Sequence, residues 1–77
     1  MNDNIIIEQL IAFLSFEERR LERMISRREI LQKDVLMSRG ADDSYVLAET
    51  TAIQGIKDRR DQYTYFINEL KKIMEQT

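Results

Sequence analysis

Ser38-Arg39-Gly40-Ala41-Asp42-Asp43-Ser44 is the one break between two long, heptad-patterned segments. Gly40 is free to adopt the left-handed conformation that closes a helix C-terminus. Asp42, Asp43 and Ser44 offer short side-chain oxygens to the unpaired N–H groups that open a helix. A turn here lays residues from about 5 to 37 antiparallel to residues from about 44 to 75. Elsewhere the chain contains no proline, and Gly55 is its other glycine, so little else interrupts helix-forming composition. Asp3 or Asn4 is expected to cap the first helix.

Working outward from the turn, apolar residues recur at Ile7, Leu10, Leu14, Leu21, Met24, Leu31 and Val35, with gaps at Glu17 and Arg28. The second segment repeats the pattern at Val46, Ile53, Ile56, Tyr63, Ile67, Leu70 and Met74, with gaps at Glu49 and Arg60. Alternating steps of three and four make an a/d seam. A register that sets Arg28 level with Glu49 also sets Glu17 level with Arg60, so each polar gap meets an opposite charge. That register pairs Leu31 with Val46, Met24 with Ile53 and Leu21 with Ile56. It centres the turn near Ser38 and Arg39, whereas Gly40 would centre it slightly later. The other reading of the gaps is a straight helix whose inward face drifts to include Glu18 and Ile25.

The expected fold is therefore all-α: a single domain over 1–77, folded as a coiled-coil-like, antiparallel two-helix hairpin. Its helices are expected at about 5–37 and 44–75, with the turn at about 38–43. Two helices cannot enclose a core large enough for 77 residues, so completion by oligomerisation into a helical bundle, or by a partner, is expected. Surplus apolar residues point the same way. Ile5, Ile6, Ile11, Phe13 and Phe16 crowd the start of the first helix, and Tyr65, Phe66 and Ile73 the end of the second. In a hairpin these groups meet at the open end, and an exposed apolar patch marks a protein interface. The predicted partner-binding residues are Ile6, Ile11, Phe13, Phe16, Tyr65, Phe66 and Ile73. The occupant is either another copy within a bundle or a different protein that receives the amphipathic face.

Catalytic chemistry finds no support. Histidine and cysteine are both absent, which removes the usual metal ligands, nucleophiles and bases, so no catalytic residue, metal or cofactor is expected. Asp42-Asp43-Ser44 lacks the remainder of a calcium loop. Twelve Lys and Arg against fourteen Asp and Glu give a net charge of −2, which argues against nucleic acid. Arg19, Arg20, Arg23, Arg27 and Arg28 are interleaved with Glu17, Glu18, Glu22 and Glu29, the pattern of a solvated, ion-paired face. Ile5-Ile6-Ile7 is cut short by Glu8 and Gln9, well below the roughly 20 apolar residues of a membrane span. Met-Asn-Asp-Asn lacks the basic start of a secretory signal, and a cytoplasmic location is expected.

Residues 21–31 resemble the first helix of the all-helical chorismate mutases. Arg27 matches that family's mid-helix arginine, but Leu10 and Ser38 stand where its other cations belong, so catalysis of that kind is rejected. A second resemblance spans most of the chain. Gln32-Lys33-Asp34, then Arg39-Gly40-Ala41-Asp42, then Tyr45, with Glu8-Gln9-Leu10 and the Tyr63 to Leu70 spacing, resemble the small co-chaperones of type III secretion needle subunits. The resemblance implies a helical hairpin that joins a helical-repeat chaperone to hold a needle subunit unpolymerised in the cytoplasm. It implies capping of apolar helix surface rather than chemistry.

Overall fold

The structure is a computed structural model and describes residues 3–38 and 42–76. Helix α1 is Asp3–Ser38 and helix α2 is Asp43–Glu75. They pack antiparallel as a hairpin, in an envelope of 58 × 15 × 14 Å. The long dimension matches a helix of 36 residues at about 1.5 Å per residue. The expected all-α hairpin is thus observed. The expected glycine cap falls on Gly40, outside the described residues.

Asp42 opens α2 in extended conformation, and its Oδ1 accepts from the Tyr45 backbone N–H at 2.8 Å. Asp43 adds negative charge in the first turn and Lys72 positive charge in the last, each favourable to the helix dipole. At the far end the Gln76 N–H reaches the Lys72 and Ile73 carbonyls, both at 3.2 Å. α1 begins at Asp3, earlier than expected, which places Asn4 inside the helix.

The seam of α2 is the predicted one. Val46, Glu49, Ile53, Ile56, Arg60, Tyr63, Ile67, Leu70 and Met74 are all buried or half-buried. α1 differs. Its shared column Ile7, Leu14, Leu21, Arg28 and Val35 faces α2, but the second column is Ile11, Glu18, Ile25 and Gln32. Ile25 is 3 % exposed, whereas Leu10 and Leu31, both expected in the seam, are 44 % and 61 % exposed. The inward face has moved by one residue to the side where Glu18 and Ile25 lie.

The register moves with it. Glu18 meets Thr64, Glu22 meets Arg60 and Gln32 meets Thr50, each step along α1 matched by an equal step back along α2. This sets Ile25 level with Ile56 to within one residue. Glu17 and Arg60 do not share a layer. Glu17 binds Arg20 on its own helix at 2.8 Å, and Arg60 binds Glu22. Arg28 still reaches Glu49, at 3.9 Å, because its long side chain leans towards the turn. The polar column Thr50, Lys57 and Thr64 on α2 explains the choice. It offers hydrogen-bonding partners to the glutamates and glutamine on one flank of α1, and the apolar flank of α1 has no such match.

Candidate protein interface

The hairpin has two unlike broad faces. On one, α2 presents Thr50, Lys57, Arg60 and Thr64 to the acidic and amide flank of α1. Arg60 Nη1 donates to Glu22 Oε1 at 2.9 Å, and Lys57 lies 3.9 Å from Glu29. Thr64 Oγ1 donates to Glu18 Oε2, and Gln32 Nε2 to Thr50 Oγ1 at 3.4 Å. Arg60 also bridges to Asp61 at 3.0 Å. Its hydrogen bonds to Asp61 and then to Glu22 raise its pKa above the ordinary guanidinium value. This face is sealed by cross-helix pairs.

The opposite flanks of the same two seams form the other face. α1 contributes Leu10, Met24 and Leu31, and α2 contributes Tyr45, Ala52, Phe66 and Ile73, of which Met24, Tyr45 and Ala52 are half-buried. Leu31 is 61 %, Phe66 54 % and Ile73 46 % exposed. Here the cross-helix ion pair is Arg28 with Glu49. Glu17 is held by Arg20, whose Nη1 also points at Met24 Sδ, 4.0 Å away. Arg59, Gln62, Tyr63 and Phe66 line a shallow groove on this face. Each helix therefore carries two seams that share a column, one filled by the partner helix and one open. Two adjacent apolar seams on one helix are the pattern of bundles with more than two helices.

The residues predicted to bind a partner do not form one surface. Phe66 and Ile73 lie on the open face, and Ile6 and Phe13 border it along α1. Phe16 and Tyr65 project from the outer backs of their helices, 60 % and 61 % exposed. The Tyr65 ring meets Phe66 edge-on, with centroids 5.8 Å apart and planes at 68°. Ile11 is half-buried in the interhelical seam. Leu10, Met24, Leu31, Tyr45 and Ala52, absent from that set, extend the face towards the turn. Their signal was present in the sequence as a second three-four column beside the first.

Among the described residues, no cluster of acidic side chains could hold a metal ion and no helix is long and apolar enough to cross a membrane. No buried side-chain nitrogen or oxygen among them lacks a hydrogen-bond partner. No protein-family model, characterised protein or solved structure matches the chain.

Proposed function

We propose that this chain is a non-catalytic helical interaction module whose open apolar face covers helix surface on another polypeptide. The observation that carries the reading is the segregation of the two faces. Cross-helix polar pairs close one, and Leu31, Phe66 and Ile73 stand exposed on the other. Apolar side chains arranged in register along both helices fit the helix-in-groove and bundle modes of recognition.

The resemblance to needle-subunit co-chaperones supplies the finer form. In that form the face docks on a helical-repeat chaperone and the pair keeps a needle subunit from polymerising in the cytoplasm. Co-expression with such a chaperone and needle subunit from the same organism tests it. The expected result is a complex that co-elutes with the wild-type chain and with Leu47→Asp, and is lost with Phe66→Asp. Absence of a complex with the wild-type chain would overturn the chaperone form. A second reading, a self-assembling bundle with a structural or regulatory role, draws support from the same face, because both helices continue their seams onto it.

A further inference from the structure

We infer that the open face is covered by a second copy of this chain, related by a two-fold axis parallel to the helices. The inference rests on the reading of that face as an interface and takes its self-assembling form rather than the chaperone form. A rotation about such an axis keeps every residue at its own height along the bundle. The heights that match within the hairpin therefore match between copies, and α1 of one copy packs antiparallel on α2 of the other. Leu10 then lies level with Leu70 of the second copy, Leu14 with Phe66 and Met24 with Ile56, each to within two residues. The result is a four-helix bundle in which every helix uses both its seams.

Charge selects this axis over the alternative. Near the open face α1 carries Glu17 and Arg28, and α2 carries Glu49 and Arg59. With the axis parallel to the helices, Arg28 faces Glu49 of the second copy at the axial offset it already spans within the hairpin. Glu17 faces Arg59 of the second copy at that same offset, to within one residue. A two-fold perpendicular to the helices would instead set α1 on α1 and α2 on α2. Centred so that Glu17 meets Arg28, it places Arg59 on Arg59. Centred so that Glu49 meets Arg59, it places Arg28 on Arg28. Like charges pressed together in a desolvated face oppose association.

The natural chain has no cysteine, so single-cysteine variants report contacts cleanly. Leu10→Cys and Leu70→Cys proteins are mixed, equilibrated and oxidised, with Leu47→Cys as a control off the face. Native mass is read across a concentration series alongside helicity. The expected result is a species of twice 9.2 kDa, with a Leu10→Cys to Leu70→Cys crosslink in the mixture at least tenfold above the control. A dimer in which Met24→Cys crosslinks to itself, with no crosslink in the mixture, would overturn the axis while leaving the face an interface. A fully helical monomer at every concentration would overturn self-association. A dimer untouched by Phe66→Asp would show that another surface associates, and would remove the reading of the face as well.

Discussion

Glu22, not Glu17, is the partner of Arg60, across 2.9 Å between the two helices. That pairing reports a register a little more than one helical turn away from the one in which Arg60 meets Glu17. The register decides which apolar side chains are enclosed. Arg60 is three-quarters covered, whereas Glu22 is half exposed, so solvent screening keeps the pair's contribution modest.

A double-mutant cycle with Glu22→Gln and Arg60→Gln is expected to give a coupling of about 0.5–1 kcal/mol. The same cycle with Glu17→Gln is expected to give none within error. Hydrogen bonds to Asp61 and Glu22 raise the Arg60 pKa. Its folded pKa thus lies above its unfolded one, and its contribution is complete below the guanidinium range and lost only as pH rises through it. Urea unfolding between about pH 6 and 9 should therefore return the same coupling.

Packing provides a second test of the seam. Ile25 is 3 % exposed and Leu47 is 69 % exposed. Ile25→Ala is expected to lower stability by about 2–5 kcal/mol, the range for buried truncations. Leu47→Ala is expected to change it by less than about 0.5 kcal/mol. Denaturant midpoints at matched protein concentration decide between these outcomes, and equal losses would contradict the observed face of α1.

At the start of α2, Asp42 accepts from the Tyr45 N–H. Asp42→Ala is expected to cost about 1 kcal/mol, and Asp42→Ser to recover most of that loss. Thermal unfolding monitored by circular dichroism reads both.

Gly55 lies within α2, and a Cβ built there meets no atom within 4 Å. Gly55→Ala is therefore expected to stabilise the chain by about 0.4–1 kcal/mol, raising Tm by a few degrees. A drop in Tm would reveal a close neighbour at that position, such as a second chain.

Fold class and the α2 seam were legible in the sequence because Val46, Ile53, Ile67 and Met74 form the more aliphatic of the two columns that flank Ile56, Tyr63 and Leu70. The face of α1 was not, because two columns compete. Leu10, Met24 and Leu31 outweigh Ile11 and Ile25 in apolar content, and a count of hydrophobic residues chooses the former. What reverses the choice is a tertiary complement: Thr50, Lys57, Arg60 and Thr64 meet Gln32, Glu29, Glu22 and Glu18 in turn. Leu10 and Leu31 of the more apolar column are then left exposed, and Met24 half-buried. Proximity to the open end was a poor guide to the candidate interface for a related reason. Phe16 and Tyr65 sit near that end in sequence yet project from the backs of their helices, while Met24 and Leu31 extend the face far along α1.

The register determines which face is closed and which remains open, so it is the property to measure first. Methyl-labelled protein, observed by NMR with mixed labelling to separate contacts within and between copies, reports it directly. The Ile56 methyls are expected to show their strongest intramolecular cross-helix contacts to Ile25. Strong contacts from Ile56 to Leu21, with Met24 against Ile53 and Ile25 silent, would contradict the register and with it the open apolar face.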